Sequence, residues 1–102
     1  MKPAIFLLTC ANESEADKII KCLLEKRLIV CAKKFSVDST FYWKSTIKNA
    51  KEIMLIMESD ESKFDKVEQE VRKIHSYETF VLELIPVSKI SRGVKEWLKE
   101  SL

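Results

Sequence analysis

A chain of 102 residues is long enough for one hydrophobic core and too short for a catalytic domain joined to a regulatory one. Its 18 basic and 16 acidic residues give a net charge of +2, far from the basic excess typical of phosphate-backbone binding, so nucleic acid is a disfavoured partner. The 3 cysteines show no zinc-type pairing, and the apolar start over residues 1–8 is too short for a signal peptide or a membrane span, so we expect a cytoplasmic protein with reduced thiols and no membrane partner.

The start of the chain predicts a strand followed by a helix. Residues 4–8 form a continuous apolar run, as expected of a strand that lies well inside a sheet. Asn12 is followed three residues later by Glu15, which makes an Asn variant of the capping box. Apolar residues then recur at helical spacing, so we expect a helix over residues 13–26 with one buried face.

The middle of the chain predicts extended structure. Residues 28–32 are β-forming types, and the extended pattern continues to Ile47, as one long strand or as two strands broken near Ser36. Residues 49–50, an Asn-Ala pair between two lysines, suit a turn, and the apolar run at residues 53–57 is then the third sheet segment. These segments therefore predict a hairpin.

The second half of the chain predicts a helix, a strand and a final short helix. Ser59 or Asp60 is placed to cap the first of these helices. The apolar residues of this helix recur at intervals of three and four, at Phe64, Val67, Val71 and Ile74. Residues 80–86 then predict a strand that ends in proline, and Ser91 is placed to cap the last helix. The apolar side of that helix consists of Val94, Trp97 and Leu98.

The predicted order βαββαβ followed by a helix is the split βαβ, ferredoxin-like pattern. We expect one α+β domain over residues 1–102, with an antiparallel sheet and two helices on one of its faces. Phe41, Tyr42 and Trp43 in succession put large aromatic side chains on both faces of a strand, because side chains alternate along it. We therefore expect a homo-oligomer, a trimer or a dimer, that covers the free sheet face and pairs extended strand edges.

His75 is the only histidine, and it stands where the second helix ends, three residues before Glu78. An imidazole near a carboxylate makes this the one place in the chain where proton or metal chemistry near neutral pH is easy to build. The interpretation favoured by this feature alone is structural, a favourable interaction of the ring with the negative end of the helix. A metal site is the alternative.

Several short groups of residues match the pattern of one known family. They are Thr9-Cys10, Glu25-Lys26-Arg27-Leu28 before Cys31, Tyr42-Trp43 with Lys44, His75-Ser76-Tyr77-Glu78, and Leu84-Ile85-Pro86 with Trp97. Over nearly its whole length the chain resembles the CutA divalent-cation tolerance proteins, and the 12 positions from Cys31 to Trp43 match that family's spacing. The resemblance implies a ferredoxin-like subunit of a tight homotrimer, a link to copper tolerance, binding of copper or other divalent cations, and no established catalytic reaction.

The chain departs from the family's pattern at three places near the candidate site and the sheet. Ser76 replaces the proline of the family's His-Pro-Tyr-Glu, which keeps the candidate ligands but removes the ring that fixes the turn. Phe80 and Val81 replace a Pro-Glu pair, which removes a nearby carboxylate. Residues 33–37 replace Asn-Ile-Ile-Pro-Gly, so the bend between two strands loses its proline and its glycine.

The motifs and the resemblance together indicate candidate site residues. For a metal these are His75 and Cys10 with help from Glu78, because thiolate and imidazole are ligands that copper prefers. In the family the metal-binding cysteine lies at the end of the first strand, where this chain has both Thr9 and Cys10. Which of the two faces His75 is left open, because neighbouring strand residues point to opposite faces. The residues expected to pack subunit contacts are Tyr42, Trp43, Tyr77 and Trp97.

The function expected from the sequence is divalent-cation binding or tolerance, with copper as the leading ion, by a non-catalytic homotrimer. The alternative is a trimeric small-ligand sensor or signalling scaffold resembling the PII proteins, because clefts between subunits can bind an effector without a sequence motif. An acylphosphatase-like enzyme is disfavoured because residues 9–12 hold neither the arginine nor the glycine of a phosphate-binding loop. An RNA-recognition module is disfavoured because residues 53–57 contain no aromatic residue for base stacking.

Overall fold

Four strands and three α-helices follow one another in the computed structural model, which describes residues 1–102. They are β1 (Pro3–Cys10), α1 (Glu13–Glu25), β2 (Cys31–Trp43), β3 (Thr46–Asp60), α2 (Phe64–Ile74), β4 (Leu82–Pro86) and α3 (Val94–Ser101). The strands form one antiparallel sheet in the order β2-β3-β1-β4. This order confirms the predicted ferredoxin-like α+β fold with a helix added after the last strand.

β1 is one of the two central strands, and its side chains alternate between two environments. One set is buried against α1 and α2: Ala4, Phe6, Leu8 and Cys10. The other set is half-buried on the opposite face: Pro3, Ile5, Leu7 and Thr9. The helices add to the core with Ile19, Leu23, Val67 and Val71. Each large apolar side chain buried in this way stabilises the fold by about 1.5–3 kcal/mol relative to its exposed state, so the alternation of β1 decides which face carries the helices.

α1 ends in a Schellman motif, and its last residue, Glu25, lies one residue before the predicted end of the helix. The amide of Leu28 donates to the carbonyl of Leu23 at 2.9 Å, and Arg27 adopts a left-handed conformation with φ of 56°. The connection after the helix uses residues 28–30. The strand predicted from residue 28 therefore begins only at Cys31, so this prediction is wrong in its first half.

β2 and β3 form a long two-stranded hairpin. β2 is continuous through Ser36, and its pairing with β3 runs from Cys31 opposite Glu58 to Trp43 opposite Thr46. β1 pairs only with residues 53–60 of β3, so the rest of the hairpin extends beyond the four-stranded part of the sheet. The protein is accordingly elongated, with principal dimensions of 45 × 25 × 22 Å.

The turn of this hairpin lies at Lys44 and Ser45, and the turn predicted at residues 49–50 is wrong. Lys44 has φ of 51° and Ser45 has φ of 65°, as a two-residue type I′ turn requires. Residues 49–50 lie inside β3, opposite Thr40 and Ser39. The sequence misleads here because asparagine is a preferred residue in such turns, whereas this chain uses lysine and serine at the left-handed positions.

Asp60, rather than Ser59, caps the start of the second helical region. Its carboxylate accepts a hydrogen bond from the amide of Ser62 at 3.0 Å and begins a short 3-10 turn, Glu61–Lys63, that leads into α2. Ser59 instead donates its hydroxyl to the carbonyl of Leu28 at 2.6 Å inside the core. The two candidates for the cap thus have different structural roles.

β4 and α3 both begin differently from the sequence-based expectation. β4 begins at Leu82, two residues late, because Phe80 packs against the ring of His75 with centroids 5.0 Å apart. α3 begins after Gly93, whose φ of 92° suits glycine, and no side chain caps this helix. The predicted cap at Ser91 is therefore wrong. None of the helices has the length and apolar character needed to span a membrane.

Candidate metal site at the end of the first strand

Three side chains with metal-binding atoms meet on the helix-covered side of the sheet. Cys10 ends β1, Glu15 lies in the first turn of α1, and His75 follows the last residue of α2. All three are buried, and one potential ligand atom from each lies within 4.8 Å of the other two. The fold thus brings a thiol, a carboxylate and an imidazole together from three separate elements. We call these three residues the Cys10–Glu15–His75 cluster.

Cys10, not Thr9, has its side chain in this cluster. The alternation of β1 buries Cys10 on the helix side and leaves Thr9 half-buried on the other. Thr9 contributes its backbone instead, because its carbonyl oxygen lies 2.8 Å from the Nε2 atom of His75. The structure thus places the side chain of Cys10, and not that of Thr9, beside His75.

Both ring nitrogens of His75 have hydrogen-bond partners. Nε2 donates to the Thr9 carbonyl, and Nδ1 accepts from the amide of Tyr77 at 3.1 Å. Nδ1 also lies 3.7 Å from a carboxylate oxygen of Glu15, and the ring stacks on Phe80 with 18° between the planes. These hydrogen bonds link the ring to β1 and to the loop that follows α2. The sequence predicts an interaction with the carbonyl end of α2 instead, and neither ring nitrogen makes that interaction. The ring is therefore held with its Nδ1 lone pair toward the Tyr77 amide and its Nε2–H toward the Thr9 carbonyl.

Glu15 accepts two backbone hydrogen bonds with its two carboxylate oxygens. Oε2 accepts from the amide of Ala11 at 2.8 Å, and Oε1 accepts from the amide of Ser76 at 2.6 Å. Its own amide donates to the side chain of Asn12 at 2.8 Å, as the predicted capping box requires. Burial opposes ionisation of Glu15, but the hydrogen bonds from Ala11 and Ser76 and the nearby His75 hold the pKa of its carboxyl below the ordinary value. Glu15 is therefore a buried carboxylate at neutral pH.

Cys10 is a buried thiol in an acidic environment. Burial, and then the charges of Glu15 and Glu52, raise the pKa of the Cys10 thiol to about 12. The side chain therefore carries its proton at neutral pH and is a poor nucleophile, because the thiolate is the reactive form. A cation that binds at Cys10 has to displace this proton.

A second carboxylate lies next to the cluster. The Tyr77 hydroxyl donates to Glu52 Oε2 at 2.8 Å, and Glu52 is itself buried. Burial, and then the hydrogen bond to Glu52 and the charge of that residue, raise the pKa of Tyr77 to about 12. Tyr77, which the sequence assigns to a subunit contact, thus also connects the loop after α2 to β3.

Glu78, the carboxylate predicted to assist His75, is not part of the cluster. Its side chain is exposed, and its backbone carbonyl accepts a hydrogen bond from Arg72 at 3.0 Å. Glu15, rather than Glu78, provides the carboxylate that lies beside Cys10 and His75. The capping box predicts only that Glu15 lies at the start of a helix. Its position beside His75 results from tertiary packing, for which the sequence gives no local signal.

The other residues singled out in the sequence lie apart from the cluster. Tyr42 and Trp43 occupy the tip of the β2–β3 hairpin, where they are 75% and 44% exposed. Trp97 lies on α3 and is exposed as well. Cys22 and Cys31 are half-buried free cysteines outside the cluster. The structure therefore gives Cys10 alone among the cysteines a carboxylate and an imidazole as neighbours.

The fold and the site define a ferredoxin-like α+β protein with a buried thiol, carboxylate and imidazole at the end of its first strand. The family model described as "CutA1 divalent ion tolerance protein" matches residues 4–101. The chain therefore belongs to the CutA1 divalent ion tolerance family, which confirms the resemblance seen in the sequence.

Individual relatives match over most of their length. The chain is 40% identical over 91 residues to the divalent-cation tolerance protein CutA of Archaeoglobus fulgidus, which covers 89% of this chain and 86% of the relative. It is 37% identical over 94 residues to the CutA protein of Thermotoga maritima, covering 92% and 93% of the two chains. A solved structure, that of the periplasmic divalent cation tolerance protein CutA from Archaeoglobus fulgidus, superposes with a TM-score of 0.94 at 32% identity over 97% of each chain.

Proposed function

We propose that this protein binds a divalent cation, with copper as the leading ion, at Cys10, Glu15 and His75, and that this binding serves cation tolerance without catalysis. The observation that carries the proposal is the cluster itself, three buried groups with ligand atoms within 4.8 Å of one another. Membership of a family named for divalent ion tolerance supports it.

The chemistry of the donor atoms fits this class of ion. Thiolate and imidazole are preferred by copper and zinc, and a carboxylate completes a set of three protein ligands for a borderline divalent cation. The three side chains come from β1, α1 and the end of α2, so a cation bound by all of them would link three elements of the fold. Such a link would stabilise the folded state, because the ligands are together only when the chain is folded.

The state of the same groups supports a non-catalytic role. The pKa of Cys10 is raised to about 12, so its thiol is not a ready nucleophile. Nδ1 of His75 accepts from the Tyr77 amide and Nε2 donates to the Thr9 carbonyl, so a general-base role would require His75 to exchange a hydrogen-bond partner. Nucleophilic catalysis requires such a base beside an ionised or exposed nucleophile.

We further propose that the protein acts as a homotrimer. The long hairpin exposes large apolar side chains at its tip, with Tyr42 75%, Trp43 44% and Ile47 61% exposed. Large apolar side chains exposed together at one tip are typical of a subunit contact. The symmetry of the oligomer follows from the family resemblance, and measurement of the mass in solution tests it.

The proposed compartment is the cytoplasm. All three cysteines are free, which suits a reducing environment. The Archaeoglobus relative is described as periplasmic, so the periplasm is the alternative. Cell fractionation with an antibody against the protein distinguishes the two.

Titration calorimetry with Cu²⁺ tests the proposal, with Zn²⁺ in parallel because zinc has no redox chemistry with thiols. The native protein is compared with His75→Ala, Cys10→Ser and Glu15→Gln, and the oligomeric mass is measured for each. Cys22→Ser is the matched control, since Cys22 is a half-buried cysteine outside the cluster. We expect a fixed number of ions per subunit in the native protein and the control, and a large loss of affinity in the three cluster variants. Binding that none of the three affects would overturn the proposal.

A small-ligand sensor is the second candidate. An open cleft of about 350 Å³ lies between the start of α1 and the β2–β3 hairpin, with Asn12, Asp38, Lys51 and Glu52 among its lining residues. These groups would suit a small molecule that carries both a positive and a negative charge. A melting-temperature screen with amino acids and nucleotides tests this candidate, which a shift that is lost in Lys51→Ala would support.

A further inference from the structure

Glu52 is a buried carboxylate without a positively charged partner. The residue is only 7% exposed, and its Oε2 atom accepts a hydrogen bond from the Tyr77 hydroxyl at 2.8 Å. The neighbouring cation, Lys51, bonds to Asp38 at 3.2 Å instead. The other oxygen of Glu52, Oε1, has no hydrogen-bond or ion-pair partner in the protein, and it is not fully enclosed. Because an unpaired buried charge is costly, this oxygen is suited to bind a cation.

Glu52 stands where the first strand ends, beside the candidate site. The pairing of β1 with β3 stops at Cys10, so no residue of β1 lies beside Glu52. The side chain of Tyr77 joins Glu52 to the site, since its hydroxyl bonds to Glu52 and its ring lies 4.9 Å from the ring of His75. After burial and the charge of Glu15, the charge of Glu52 also helps to raise the pKa of the Cys10 thiol. Glu52 therefore acts electrostatically on the site itself.

The Cys10–Glu15–His75 cluster needs an entry path, because its residues are at most 9% exposed. The open cleft of about 350 Å³ between the start of α1 and the hairpin reaches Ala11, the residue that follows Cys10. Asp38, Lys51 and Glu52 are the charged residues that line it. Asp38 and Lys51 pair with each other, so Glu52 carries the unbalanced negative charge of this cleft. Such a charge attracts cations from solution.

A second open cleft, of about 370 Å³, is the alternative path. His75 lines it directly, together with Arg72 and Glu78. Arg72 and Glu78 have charges of opposite sign, and Glu78 is exposed. This cleft therefore offers a cation no buried carboxylate that lacks a partner, and electrostatic attraction favours the first cleft.

We propose that Glu52 is the entry ligand of the cation site, so that a divalent cation first binds Oε1 of Glu52 from the first cleft and then passes to the Cys10–Glu15–His75 cluster. This inference rests on the proposed cation-binding function and names the residue through which the ion arrives. The hydrogen bond from Tyr77 does not prevent this step, because a carboxylate has lone pairs for a donor and a cation together. Thiolate and imidazole bind copper and zinc more strongly than a carboxylate does, which drives the transfer toward the cluster.

Stopped-flow mixing of the protein with Co²⁺ tests the entry role, because the charge-transfer band of a Co²⁺–thiolate bond reports arrival of the ion at Cys10. We expect the band to appear about tenfold more slowly in Glu52→Gln than in the native protein. The amide oxygen introduced by this change can still accept from Tyr77, so the loop after α2 keeps its contact. Glu78→Gln is the matched control, since it makes the same change of charge in the second cleft, and it should keep the native rate.

Four results of this experiment decide against the entry ligand. They are a native rate in Glu52→Gln, equal slowing in both variants, slowing in Glu78→Gln alone, and a loss of affinity in Glu52→Gln that comes only from faster dissociation. His75→Ala separates this inference from the proposed function. Loss of the band in His75→Ala with a native rate in Glu52→Gln leaves the cation site standing and removes the entry ligand alone. A band that persists unchanged in His75→Ala and in Cys10→Ser removes both.

Broadening of amide NMR signals by Mn²⁺ locates the first contact without following transfer to the thiol. Mn²⁺ prefers carboxylate over thiolate ligands, so it marks the carboxylates that an ion reaches first. We expect trace Mn²⁺ to broaden the signals of Ser36 and Val37, which line the first cleft, in the native protein. Glu52→Gln should remove this broadening. Broadening that persists in the variant, or that is absent from the native protein, would overturn the inference.

Discussion

The rings of His75 and Phe80 lie nearly parallel, with their centroids 5.0 Å apart and 18° between their planes. The guanidinium of Arg72 lies over the same Phe80 ring at 4.5 Å from its centroid. Phe80 is thus packed between a cation on α2 and the imidazole of the candidate site. This packing holds the loop after α2 against the core and keeps Phe80 out of β4.

Substitution of Phe80 by alanine should destabilise the fold. The variant loses a stacked aromatic pair and a half-buried ring, for which we expect a decrease of about 2 kcal/mol in the free energy of unfolding. Urea denaturation at a fixed protein concentration measures it. Thr79→Ala, at an exposed neighbouring position, is the control and should be close to neutral. Equal stabilities of the two variants would contradict this account of the loop.

The hairpin turn predicts a stabilising change. Lys44 and Ser45 both have positive φ, which asparagine and glycine tolerate better than lysine and serine do. The double change Lys44→Asn with Ser45→Gly should raise the free energy of unfolding by about 1 kcal/mol.

The position that the sequence had suggested for this turn provides the matched control. Asn49 lies inside β3, so Asn49→Gly should lower the free energy of unfolding by about 0.5–1 kcal/mol. Urea denaturation of both variants is the measurement. Stabilisation by Asn49→Gly without any effect of the double change would place the turn at residues 49–50 after all.

Asp60 predicts a dependence of stability on pH. Burial opposes its ionisation, but hydrogen bonds from Ser62 and from the amide of Lys2 hold the pKa of its carboxyl below the ordinary value of 3.8. A carboxyl with a lowered folded-state pKa stabilises the fold fully above its unfolded pKa, and this contribution is lost as the pH falls through the folded pKa. Asp60→Asn should therefore cost about 1 kcal/mol at neutral pH.

The same difference between native protein and Asp60→Asn should shrink as the pH falls below 3.8. Thermal unfolding of both proteins at a series of pH values measures it. Glu61→Gln is a suitable comparison, because it changes the charge at the next residue without removing the cap. A difference that stays constant down to the acid limit would show that the charge of Asp60 has no part in the cap.

Trp43 predicts an effect on oligomeric state. It is 44% exposed at the tip of the hairpin, and a partner subunit would bury it in the proposed homotrimer. Trp43→Ala should shift the trimer toward smaller species at low protein concentration, because large aromatic side chains dominate contact energies. Sedimentation velocity over a dilution series measures the shift. Lys48→Ala, at an exposed position on the same hairpin, is the control and should leave the mass unchanged. An unchanged mass in Trp43→Ala as well would contradict the prediction.

The fold could be predicted from the sequence because its signals are local. The alternation of β1, the capping box at Asn12 and Glu15, and the helical spacing of Val67 and Val71 each specify an element without knowledge of the others. The order of these elements then restricts the topology to few choices.

The turn and the third cluster residue could not be predicted, for physical reasons. Lys44 and Ser45 adopt left-handed conformations because the pairing of two long strands requires a tight turn there, although their own preferences are otherwise. Glu15 is distant in sequence from His75, and the packing of α1 beside the end of α2 brings the two together. Cys10 and His75 can be recognised in the sequence as candidate metal ligands by their residue types. The position of Glu15 beside them depends on tertiary structure.

The most direct test of the cation site is the absorption spectrum of the protein with Co²⁺, an ion that commonly replaces zinc and reveals thiolate ligands by near-ultraviolet charge-transfer bands. If Cys10 binds the cation, the native protein and Cys22→Ser show these bands, and Cys10→Ser and His75→Ala lose them. Bands that persist in Cys10→Ser, or that are absent from the native protein, would contradict the assignment of this cluster as the cation site.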